Sequence, residues 1–67
     1  MDIKRKLFNK LQEIHHDKDF VVGVMSNADN DEDRQTILDF IESEKDVSVE
    51  DVILLSLHLL NERNNNR

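Results

Sequence analysis

The segment 47–63, V-S-V-E-D-V-I-L-L-S-L-H-L-L-N-E-R, constrains the fold more than any other part of the chain. Its start is chemically marked. Ser48 is placed as an N-cap with Asp51 at N3, and Val47 and Val52 have the spacing of a hydrophobic staple. At about 100° per residue, Val49, Val52, Ile53, Leu57, Leu59 and Leu60 share one broad face around Ser56, which Leu54 and Leu55 widen on either side. Only Glu50, Asp51, His58, Asn61 and Glu62 are left for water. A surface helix carries a narrower apolar stripe, so this segment is expected to be the central helix of the domain or to be shared with a second molecule.

The rest of the chain has little else to build with. Sixty-seven residues allow one small domain, expected over residues 1–63, with 64–67 as a disordered polar tail. A domain of this size buries only about 60% of its unfolded surface. The absence of cysteine removes disulfides and thiolate metal sites, and three Phe with no Trp or Tyr leave Leu, Ile and Val as the core. The cost of ordering so short a chain nearly cancels its burial gain, and association with a second copy is the remedy still open to it.

The absence of proline, a single glycine (Gly23) and an abundance of helix formers predict an all-α fold, a small bundle of four helices at about 2–16, 19–28, 31–44 and 48–62. In the first helix, Ile3, Leu7, Leu11 and Ile14 recur at helical spacing with Phe8 at the edge, and Asp2 complements the N-terminus. The run Phe20 to Val24 has the composition of a strand, and an intermolecular two-stranded sheet is the competing reading for residues 20–25. Helix is preferred because no second strand is available. Phe20, Val21, Val24, Met25 and Ala28 then fall on one side of a short helix, capped by Asp17 or Asp19, in which Gly23 marks a close crossing or a bend. Asn30 with Asp33, or Asp29 with Glu32, is placed to cap the third helix, whose apolar face is Ile37, Leu38, Phe40 and Ile41.

The formal charge of −6 is unevenly spread, with five basic and three acidic groups in residues 1–18 against four and twelve in residues 19–67. Such a charge dipole opposes binding to nucleic acid or an anionic membrane, and favours a basic partner or head-to-tail pairing with the chain's own first helix. The longest apolar run, residues 52–55, is far short of a membrane span, and the basic N-terminal stretch leads into an amphipathic helix rather than a signal peptide. A cytoplasmic protein that neither enters nor binds a membrane is expected.

No residue set reads as a catalytic, cofactor-binding or metal site. The acidic run 29–33 has the alternate oxygen donors of a calcium loop, but Arg34 and Phe40 stand where that loop needs Gly and Glu. Helix capping explains the run. His15 and His16 are adjacent and therefore point about 100° apart, a poor start for zinc, and His58 has no nucleophile or acid spaced to form a dyad with it. Arg34 falls inside the apolar face of the third helix and is expected to lie along the core edge, its head group paired within the chain or across an interface.

The function expected from these features is non-enzymatic protein–protein interaction, as a homodimer through the last helix, with Leu54, Leu55, Leu59, His58 and Arg34 as interface residues. Leu54 and Leu55 stand out because Val49, Val52, Ile53, Leu57 and Leu60 are expected to find partners inside the domain. The alternative is an acidic inhibitor or immunity-type protein that binds a basic partner through Asp31, Glu32, Asp33, Asp39 and Glu42. A DNA-binding regulator ranks below both. The would-be recognition helix opens on Glu50 and Asp51 and would repel phosphate, so a nucleic-acid partner is not expected.

Overall fold

The computed structural model describes residues 2–44 and 46–65, which form four helices and no strand: α1 Ile3–Ile14, α2 Lys18–Asn27, α3 Asp31–Ser43 and α4 Val49–Asn65. Each start is fixed by a side chain that accepts an otherwise unpaired amide. Asp2 takes the Lys4 N–H at 3.1 Å, Asp17 that of Asp19 at 3.0 Å, Asn30 that of Asp33 at 2.8 Å, and Ser48 that of Asp51 at 3.1 Å.

The ends of the first and last helices differ from the sequence expectation. Helix α1 stops at Ile14 because His15 is already extended and its N–H closes the helix on the Leu11 carbonyl, which frees Asp17 to cap α2. Helix α4 continues through Asn64 and Asn65, where a disordered tail was expected to begin. Its last turns are tied down by Arg63, whose guanidinium pairs with Asp29 and lies 3.5 Å from Asp33. The remainder of that tail, Asn66 and Arg67, lies outside the described residues.

The β-branched run of α2 is helical. One side of it, Phe20, Val21 and Val24 with Ala28 at the end, is buried in the common core, and that tertiary burial outweighs the local preference for strand. The core is completed by Leu7 and Leu11 of α1, Ile37, Leu38 and Ile41 of α3, and Val52 of α4. The principal contacts pair α1 with α3 and α2 with α4, and further contacts of α3 with α4 and of α1 with α2 close a ring of neighbours. Helix α4 therefore forms a wall of the bundle, bridging α2 and α3. Its inner stripe meets the core while its outer stripe faces away.

A polar tie crosses this wall. Ser56 is fully buried on α4, donates to the Ile53 carbonyl at 2.8 Å, and accepts from Asn27 Nδ2 of α2 at 3.2 Å. A buried hydroxyl left without such a partner would cost about 1–3 kcal/mol, so the bond fixes how α4 sits against α2.

Gly23 marks neither a close crossing nor an unusual turn. A Cβ built there meets nothing within 4 Å, and no described residue has a positive φ. Gly23→Ala is therefore expected to stabilise the domain by about 0.5–1 kcal/mol, because it removes backbone freedom from the unfolded chain at no steric cost. Thermal unfolding followed by circular dichroism should show the midpoint rise by a few degrees. A fall would mean that a neighbour approaches closer than the geometry allows.

Candidate protein–protein interface

The outer stripe of α4 holds three of the five exposed large apolar side chains among the described residues. Leu54 is 63% exposed, Leu57 47% and Ile53 36%, in a chain whose other helices turn most of their large apolar residues inward. Leu54 and Leu57 also line a shallow depression with Leu60, His58, Asn61 and Asn64. Spacings of three and four residues put these groups on one helix face. Acids border it. Glu50 is three and four residues before Ile53 and Leu54, Asp51 and Glu62 are exposed, and Glu62, one turn after His58, lies 3.1 Å from its Nε2, although no acid was expected to meet that imidazole.

The exposed apolar stripe of α4 lies about a third of a turn from the leucines expected to form a seam. Leu55 and Leu59 are partly buried and pack against the core, so of the three leucines assigned to the seam only Leu54 points outward. Ile53 and Leu57, expected to find partners inside the domain, are exposed instead. The reason is geometric. The apolar arc of α4 is wider than α2 and α3 together can cover, and they cover the side centred on Val52, Ser56 and Leu59.

Arg34 lies at the core edge as expected, with 14% of its side chain exposed. Its Nη1 donates to Asp31 Oδ1 of its own helix at 2.9 Å, and among the described residues its buried Nε has no partner. The observed ion pair is intrahelical. Arg34→Ala is expected to cost about 1 kcal/mol through loss of the buried stem, and Arg34→Met to recover most of it, because an exposed ion pair contributes little. If urea denaturation gave equal losses for Ala and Met, the contribution would lie in the charge.

The acidic residues are largely engaged within the chain. Asp33 is bonded by Asn30 and faces Arg63; Asp31 pairs with Arg34; Asp39 accepts from Gln35 at 2.8 Å; and Glu42 lies 3.8 Å from Lys6 of α1. Glu32 is exposed at the first turn of α3, where a negative charge complements the helix dipole. His15 is 3.6 Å from Asp17, and its ring meets Phe20 edge-on, as befits a polar turn.

A second apolar surface, not anticipated from the sequence, runs between α1 and α2. Phe8 and Val22 are 39% and 51% exposed, and with Val21 and Met25 they floor a groove. The available signals were the edge position of Phe8 and the place of Val22 off the inner side of α2. They give two exposed residues, but whether these adjoin depends on how the helices pack.

The fold and these surfaces define a small all-α bundle of four helices with an open apolar helix face. No protein-family model, curated protein or solved structure matches the chain.

Proposed function

We propose that this chain is a small, non-enzymatic protein–protein interaction module that self-associates, as a homodimer in its smallest form, through the outer face of α4. The observation that carries the reading is the stripe of Ile53, Leu54 and Leu57, whose exposure a domain with so small a core can ill sustain. A second chain would remove the exposed part of those side chains from water, a third to two thirds of the about 1.5–3 kcal/mol that complete burial of each contributes.

The alternative, an acidic inhibitor or immunity-type protein for a basic partner, has less support. Asp31, Asp33, Asp39 and Glu42 all have partners inside the chain, and a basic ligand would have to compete for them. DNA binding has less still, since the first turn of α4 carries Glu50 and Asp51. As for chemistry, the fully buried Ser56 hydroxyl is committed to Asn27 and to its own helix, and the charged neighbours of His58 and His15 among the described residues are the carboxylates of Glu62 and Asp17. No helix in the described residues is long and apolar enough to cross a membrane, and the cytoplasm is the compartment we assign.

Light scattering across a dilution series tests the reading. The mass should exceed 7.9 kDa at high concentration and fall towards it on dilution. A mass of one chain at every concentration up to about 1 mM, corresponding to less than about 4 kcal/mol of binding, would dispose of it.

A further inference from the structure

We propose that the groove between α1 and α2 of one copy receives the outer face of α4 from a second copy, so that self-association joins two unlike surfaces. This rests on the self-association reading of α4 and names the surface that α4 meets.

Among the described residues Lys6 pairs with Glu42, Lys10 with Glu13, Arg34 with Asp31, and Arg63 with Asp29 and Asp33. The three described cations with no acidic partner there are Lys4, Arg5 and Lys18, and all three line the α1/α2 groove, together with Asp2 and Asp17, whose carboxylates accept the capping amides of α1 and α2. In a chain of charge −6, cations would ordinarily find carboxylates nearby. Here the unpaired ones gather around an exposed apolar floor.

The groove has the form of a helix receptor. Lys4 and Arg5 stand near Met25 at one end and Gln12 near Lys18 at the other, so α1 and α2 run antiparallel with Phe8, Val21 and Val22 between them. Twelve residues of α1 at about 1.5 Å each give it a length of roughly 18 Å, enough for three turns of a docked helix. Its rim sets Lys4, Arg5 and Lys18 against the two capping carboxylates Asp2 and Asp17, and that cationic excess suits a helix that is apolar along one stripe and acidic beside it. The outer face of α4 has that character, with Ile53, Leu54 and Leu57 on the stripe and Glu50, Asp51 and Glu62 around it. Its nearest basic residue, Arg63, is turned away towards Asp29 and Asp33. An α4–α4 contact, by contrast, would set acidic borders against each other and leave the groove uncovered.

The test is a mixing experiment with two variants, each altering one surface at an exposed position. If α4 docks in the groove, Val22→Glu and Leu54→Glu should each raise the dissociation constant at least about tenfold when measured alone by light scattering. Mixed in equal amounts they should recover a species of two chains, because the first retains an intact α4 and the second an intact groove. Association of the wild type should also weaken between roughly 0.05 and 0.5 M salt. Circular dichroism checks that each variant is folded, and Lys4→Glu with Arg5→Glu gives a second groove variant that disturbs no buried group. A wild type that associates while both groove variants associate equally well would overturn the inference and leave the α4 reading standing. So would two weakened variants that fail to complement each other. A wild type that stays monomeric defeats both.

Discussion

Leu54→Glu is expected to raise the dissociation constant of the self-associated protein by roughly a hundredfold while leaving the monomer nearly as stable as before. Leu54 is the most exposed large apolar residue of the bundle, so little of its burial belongs to the monomer. Glu is almost as good a helix former as Leu, and a carboxylate at position 54 would meet only mild repulsion from Glu50 one turn earlier, a few tenths of a kcal/mol. In an associated state the same change removes the burial of the 63% of Leu54 that the monomer exposes, about 1–2 kcal/mol, and adds the cost of desolvating a charge. At about 1.4 kcal/mol per factor of ten, the sum reaches two orders of magnitude. Sedimentation of the variant across a concentration series, with urea denaturation of the dilute protein as control, separates the two effects. Unchanged association would move the contact elsewhere on the surface, and a large loss of monomer stability would mean that Leu54 packs inside the domain.

Leu38→Ala should do the opposite, damaging the fold directly. Leu38 is completely buried on α3, and truncating a leucine in such a site costs about 2–5 kcal/mol, from the lost transfer free energy and the cavity left behind. A domain of 67 residues has roughly 3–10 kcal/mol to lose. The loss of a large share of the domain's stability is therefore expected. Made on the Leu54→Glu background, where dissociation no longer contributes to the measured stability, the loss can be read from urea denaturation followed at the helical circular dichroism band. A loss below about 1 kcal/mol would contradict the placement of α3 in the core. Two leucines in helices of one small domain are thus predicted to behave in contrary ways, and only their burial distinguishes them.

The caps show how far local chemistry reached. Asp2, Asp17, Asn30 and Ser48 each accept an amide at the start of a helix, and the residues that supply those bonds lie two or three positions away in the chain. An interaction closed within one turn can be recognised from spacing alone. The inner faces of α1, α2 and α3 were legible for a related reason, since their apolar residues are few enough that one arc contains nearly all of them. Arg63 was not legible in this way. Its partners Asp29 and Asp33 lie 34 and 30 positions earlier, and nothing local distinguishes it from the polar residues that follow.

Helix α4 divides the two kinds of information most clearly. From residues 47–63 alone it follows that a helix begins after Ser48 and that its apolar arc exceeds what a small bundle can cover, so some of its leucines must remain outside. Which ones remain outside could not follow. A helix with apolar residues on most of its circumference has several rotations of similar burial, and periodicity does not rank them. Packing against α2 and α3 selects one, with Val52 and Ser56 inside, Leu55 and Leu59 against the core, and Ile53, Leu54 and Leu57 exposed. The buried bond from Asn27 to Ser56, spanning 29 positions, helps to hold that rotation. The same packing brings Phe8 beside Val22 and gathers Lys4, Arg5 and Lys18 around them. The amount of surplus apolar surface is set by composition and period, whereas its position and its charged surroundings are set by contacts between residues far apart in the chain.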